Sequence, residues 1–251
     1  MSSPEPLPPP QPHKTYICRR ASGPITIDGD IAKRAWRDAA WTDDFVDIEG
    51  DLKPRPRHRT RVKMLWDDEC FYVAAEMDEP HVWGTLTVRD SVIFHDNDFE
   101  VFLNPTRDTL NYYELEINAL NTVWDLLLPK PYRQGGKAVD AFDFVGLKHA
   151  VRVRGTVNDP RDVDEGWDVE IAFPWASFTE HVGPPPAEAG KPPRMGEEWA
   201  INFSRVEWDT EVVGEKYKKV EGRREHNWVW SPMGLIDMHL PERWGVVRFE
   251  R

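Results

Sequence analysis

Strict two-residue alternation in neighbouring short segments is the feature that most limits the folds open to this chain. In DFEVFL (98–103), Phe99, Val101 and Leu103 fall on one side of an extended backbone and Asp98, Glu100 and Phe102 on the other, because side chains alternate across a strand. In YYELEIN (112–118), Tyr113, Leu115 and Ile117 share one side while Tyr112, Glu114, Glu116 and Asn118 take the other. With NPTRDTLN between them as a turn, the two segments predict an antiparallel hairpin with one apolar face and one acid-rich face edged by aromatic rings. The pattern recurs downstream. WDVEIAF sets Trp167, Val169, Ile171 and Phe173 against Asp168 and Glu170, and WAINFS sets Trp199, Ile201 and Phe203 against Asn202 and Ser204. Carboxylates are ordinary on a solvated sheet face, but water asks for no such mixture of acids, amides and hydroxyls from several strands. The acid-rich face of the hairpin is therefore the candidate site.

The rest of the chain reads in the same terms. TRVKMLWDDECFYVAAEMDE gives two strands joined at a turn formed by Asp67 and Asp68. LKHAVRVRGTV alternates, and NWVWSP and RWGVVRF close the set. ITIDGDIAKRAWRDA predicts a short strand, a turn and a brief helix carrying Ile31, Ala35 and Trp36, placed as a lid over one end of the fold. Residues 1–14 are proline-rich and read as an extended, mobile lead-in; 183–195 read as an exposed insertion. EVVGEKYKKVEGRREHN is expected to be a charged, mobile segment. Short strands at even spacing with only a few short helices predict an all-β chain, an antiparallel β-sandwich of jelly-roll type, with one domain over 15–251. At 251 residues the chain is long enough for one sandwich with a sizeable core.

Charge and composition narrow the function classes. A formal net charge of -12 argues against nucleic acid, whose phosphates call for a basic stripe, and disfavours an anionic membrane surface. No run of about 18 apolar residues is present. The first residues lack the layout of a secretory signal, so the cytoplasm is the expected location, or a secreted or periplasmic one if a leader has been removed. Cys18 and Cys70 form no metal or redox motif, and Cys70 reads as a small core residue. Of the twelve tryptophans, most are expected in the core, and any exposed ones would offer flat faces for a sugar ring. The oligomeric state is left open.

Taken in order, ITIDGDIAKRAW, VKMLWDDECFYVAAE, DNDFEVFLNP, YYELEINALNTVWD, GWDVEIAFPW, WAINFSRVEW and WGVVRF resemble the family 9 carbohydrate-binding modules and their stand-alone relatives, over residues 15–251. The resemblance implies a jelly-roll sandwich, a carbohydrate ligand, a place in carbohydrate catabolism and, in some members, structural calcium. In the xylanase-attached modules a small sugar or a chain end is gripped between two tryptophans above polar side chains. Carried onto this chain, the acid of that site matches Glu100, the asparagine matches Asn118, and a later polar position falls at Ser204 beside Asn202. One clamp position falls at Phe94 and the other at Met238, while Glu116 stands where the family has an arginine. Trp208, Trp228 and Trp230 are candidates for a substitute ring. For calcium, Asp96, Asp98 and Asp125 are the candidate ligands, since hard cations take clustered oxygens.

Two other functions fit parts of the pattern. A glycoside-processing enzyme would use Glu100 with Glu116 or Glu114 as a carboxylate pair. A haem-binding electron carrier would draw axial ligands from Met238, His239 and His95, as distant relatives with a similar sandwich do.

Overall fold

The structure is a computed structural model, and it describes residues 7–181, 183 and 188–251. Among these residues the alternating segments form strands β1 (Thr15–Arg20), β2 (Val46–Asp47), β3 (Thr60–Trp66), β4 (Cys70–Asp78), β5 (Asp98–Asn104), β6 (Tyr112–Asn118), β7 (Val123–Leu128), β8 (Lys148–Arg154), β9 (Gly166–Pro174), β10 (Glu198–Glu207), β11 (Thr210–Val213), β12 (Lys216–Lys219), β13 (His226–Val229) and β14 (Gly245–Glu250). Helical structure is confined to short 3-10 turns. The helix expected near Trp36 is one of them, Arg34–Trp36.

Ten strands run in the order β7-β6-β5-β10-β14-β1-β3-β4-β9-β8, with β13 beside β10 and β2 beside β13; β11 and β12 pair separately. Pairing is antiparallel throughout except where β1 lies parallel to both β14 and β3. That seam joins two antiparallel halves, which curl over a shared core. Phe99, Val101 and Leu103 of β5 and Phe203 of β10 belong to the same buried cluster as Val62 and Met64 of β3, Val73 of β4 and Ile171 of β9. The sandwich expected from the sequence is thus present, with the parallel seam as its one departure from antiparallel order.

The outer faces differ more from expectation. Each is roofed by irregular chain. Ile25, Ile31 and Trp36 pack on Leu65, Tyr72, Ala74 and Ala172, the outward side chains of β3, β4 and β9, so this segment covers a sheet face and is not an end lid. The reason is apolar area: these outward positions are themselves hydrophobic and gain by leaving water. On the other half, Ile48, Met233, Met238, Leu240 and Trp244 cover Phe102, Tyr112, Leu126 and Leu128. The acid-rich face of the β5–β6 hairpin therefore lies between layers and is not a solvated surface.

Three smaller expectations also meet the structure. From Leu7 onward the proline-rich lead-in lies against the body, with Gln11 Nε2 donating to the Glu49 carbonyl (3.1 Å) and His13 Nδ1 2.9 Å from the Trp244 carbonyl. The charged segment after Trp208 contains the β11–β12 hairpin, turning at Gly214 with φ 67°. Cys18 and Cys70 are both free thiols. Of the 183–195 insertion, 184–187 fall outside the described residues, and the remainder is mostly exposed.

Candidate functional site

The register of four strands builds one row of side chains. Ser204 pairs with Glu100, Glu100 with Glu116, and Glu116 with Trp124. The next row runs Asn202, Phe102, Glu114 and Leu126. Glutamates directly opposite one another on paired strands repel, so this arrangement costs stability.

Above these rows the roof leaves a cleft of about 370 Å³. Glu100, Glu114 and Glu116 line it, together with Phe102, Phe94, Trp124, Tyr132, Met238 and His239. The acids are 6 %, 4 % and 2 % exposed in that order, while Phe94 is 36 % exposed at the edge. Asp98 is wholly buried beside them, and carboxylate oxygens of Asp98, Glu100 and Glu116 all lie within 4.8 Å of one another.

Few donors reach this cluster. The Phe94 amide donates to Glu116 Oε2 (2.9 Å) and the Val206 amide to Asp98 Oδ1 (3.1 Å). Among the described residues, Asp98 Oδ2 and Glu114 Oε2 are buried with no hydrogen-bond partner. Burial pushes the Glu100 carboxyl up to about 7, against the opposing effect of the Ser204 hydroxyl. Burial first, and then the neighbouring acids, hold Asp98, Glu114 and Glu116 well above the usual carboxylate range. None of the residues lining the cleft is a lysine or arginine, and burial lowers His239 to about 4, which leaves it neutral. The buried Arg205 guanidinium, elsewhere in the core, donates to Glu79 (2.6 Å) and Glu207 (2.9 Å), a cation that the cleft acids lack, although burial and the Glu207 charge still push the Glu79 carboxyl up to about 8.

The other residues singled out by sequence are placed elsewhere. Asn118 Nδ2 donates to the Leu86 carbonyl and to Asp96, and its Oδ1 accepts from the Leu120 and Thr122 amides. Asn202 fastens the roof, bonding both the amide and the carbonyl of Ser231 at 2.9 Å. Ser204 is buried beside Glu100 but does not line the cleft. Trp208 lies outside it, its indole donating to the Phe94 carbonyl (2.9 Å) and its ring 3.5 Å from Lys219 Nζ. Trp228 and Trp230 are core residues. His95 packs on the Phe94 ring at 4.9 Å, and His239 on Tyr132 at 4.5 Å.

The candidate calcium ligands do not converge. Asp96 accepts from the Thr85 amide and hydroxyl, the Leu86 amide and Asn118. Asp125 points to the opposite sheet face from Trp124 and Leu126, where it pairs with Arg89 and accepts from the Phe144 amide. The set Asp96, Asp98 and Asp125 therefore does not fit a single cation, which requires its oxygens around one point.

Trp124 and Tyr132 were missed by sequence reasoning. For Trp124 the signal was present: extending the alternation into NTVWDLLL sets Trp124 and Leu126 on the acid side and Asp125 opposite. Tyr132 lies in a Pro/Gly-punctuated loop and carried no such signal.

A carbohydrate-binding module of family 9 from Caldicellulosiruptor kristjanssonii, solved with cellotriose, is 15 % identical over 94 % of each chain with a TM-score of 0.59. The same organism's module solved with glucose is 16 % identical over 94 % of this chain and 96 % of that one, TM-score 0.59. A candidate carbohydrate-binding protein from Bacteroides uniformis is 15 % identical over 95 % of this chain and 100 % of that one, TM-score 0.67. At such identity the likeness shows the fold. No curated protein sequence matches the chain. The sequence profile of the family described as carbohydrate family 9 binding domain-like, however, matches residues 27–248. That match spans nearly the whole sandwich, cleft and roof included, and the chain belongs to this family.

Proposed function

We propose that the chain binds carbohydrate, with a sugar seated in the cleft over Glu100, Glu114 and Glu116 and against Phe94, Trp124 and Tyr132. The observation that carries this reading is the cleft itself, in which aromatic rings and a cross-strand row of acids line one cavity on a domain of this family. A sugar presents apolar C–H faces and a ring of hydroxyls, each a donor and an acceptor. Aromatic rings supply a surface for the faces. A carboxyl accepts through either oxygen and, when it carries a proton, also donates, so buried acids match hydroxyls in either sense. The solved relatives in complex with cellotriose and with glucose add weight to the same class of ligand.

Isothermal titration with glucose and short β-1,4-glucans is the test. Saturable heat is expected, with Trp124→Ala and Phe94→Ala each weakening binding by about 1 kcal/mol, roughly fivefold. An absence of heat at roughly millimolar sugar, where even weak complexes of this kind form, would contradict the reading.

A further inference from the structure

The acids in the cleft are more than a source of hydroxyl partners. Glu114 is 4 % exposed, lines the cleft, and has an unpartnered carboxylate oxygen. Asp98 Oδ2, behind Glu100 and Glu116, is likewise buried without a partner. Leaving such atoms unmatched costs free energy, and among the lining residues no lysine or arginine arrives to match them. Elsewhere in the chain Arg205 stands between the buried Glu79 and Glu207 and supplies the cation that the cleft acids lack.

We propose that the cleft takes a sugar bearing a protonated amino group, with the ammonium seated among Glu100, Glu114 and Glu116 and Asp98 behind them. This rests on the carbohydrate-binding reading and names the class of sugar. An ammonium has three N–H donors and needs three acceptors. Oxygens each about 2.8 Å from a tetrahedral nitrogen lie about 4.6 Å apart; one oxygen each from the cleft-lining Glu100 and Glu116 and from the buried Asp98 lie within 4.8 Å of one another, with Glu114 on the cleft wall beside them. A calcium ion fits less well, since it takes six to eight oxygens and is usually wrapped by a loop. Here the acids all project from one side of regular strands β5 and β6, and the other side is open cleft lined by Phe94, Trp124 and Tyr132. A sugar ring carried on its ammonium occupies that open side.

Titration calorimetry on the whole chain at neutral pH separates the possibilities, using glucosamine, N-acetylglucosamine, glucose and calcium chloride as probes. Glucosamine is expected to bind at least roughly tenfold tighter than its N-acetylated counterpart, the size of one charge-assisted contact. In Glu114→Gln that preference should shrink to about threefold or less, with circular dichroism reporting the fold. The comparison of sugars on the unaltered chain needs no variant. Equal affinity for glucosamine and glucose would overturn the ammonium site and leave carbohydrate binding standing. Silence with every sugar would overturn both. Calcium binding that is lost in Glu114→Gln and blocks glucosamine would assign the acids to a metal and overturn the proposal.

Discussion

Asn118 and Glu114 project from the same face of β6, and burial has opposite consequences for them. The Asn118 amide spends both its nitrogen and its oxygen on bonds that tie β6 to the Leu86 segment and close the turn to Thr122. Glu114 keeps an oxygen without a partner in a cavity wall. Asn118→Ala strands two amides and a carbonyl, and should lower unfolding free energy by about 3 kcal/mol in a urea titration. A loss below about 1 kcal/mol would mean that water replaces the amide. The residue scale is also where sequence and structure part most clearly. Glu100, Glu114, Glu116, Phe94 and Met238, separated by up to 144 positions (238 − 94), line one cleft, whereas Asn118, Asn202, Ser204 and Trp208 do not. Alternation says which side of a strand a residue takes. It does not say which residues on that side are consumed by the protein's own loops.

At the scale of elements, the β5–β6 hairpin was legible from runs of six and seven alternating residues, while the register that sets Glu100 opposite Glu116 was not. The roof was not, because 230–244 and 25–41 bury apolar side chains from irregular backbone, where no period marks the inward positions. The roof is what changes the acids' chemistry. The folded carboxyl of Glu100 is raised from 4.5 to about 7, and Glu114 and Glu116 are raised in the same sense. The folded state then holds protons that the unfolded chain releases. Stability from these groups is present in full below the unfolded pKa and is lost as pH rises through the folded one. The melting temperature of the free protein should therefore fall between about pH 5 and about pH 8. Glu79, raised to about 8, adds to this fall, whereas His58, His149, His181 and His239, held below their usual value by burial, oppose it below about pH 6.5, so the fall is steepest above that point. Glu100→Gln removes one titration and should flatten the slope; an unchanged slope would show that the hairpin acids are not its source.

For the whole molecule, the parallel seam of β14, β1 and β3 decides whether two antiparallel halves become one sandwich. Gly245 begins β14, and a Cβ there would meet the Trp230 ring at 2.3 Å. Trp230 is itself 1 % exposed and has nowhere to retreat. Gly245→Ala should cost about 1–3 kcal/mol by overpacking, seen as a lower urea midpoint, and a neutral effect would mean the seam can shift. The architecture was readable from seven ordered segments, but the seam was not, since parallel pairing of β1 with β14 joins residues more than 200 apart. Use of the cleft by a sugar is best examined by following 15N-labelled protein during titration with a short β-1,4-glucan or glucosamine. The Trp124 indole signal and the amides around Phe94, Glu116, Tyr132 and Met238 should move together and saturate, while the indole of Trp175, which donates to the Asp67 carbonyl away from the cleft, stays still. Saturable shifts clustered elsewhere on the chain, with the Trp124 signal unmoved, would contradict a sugar site in this cleft.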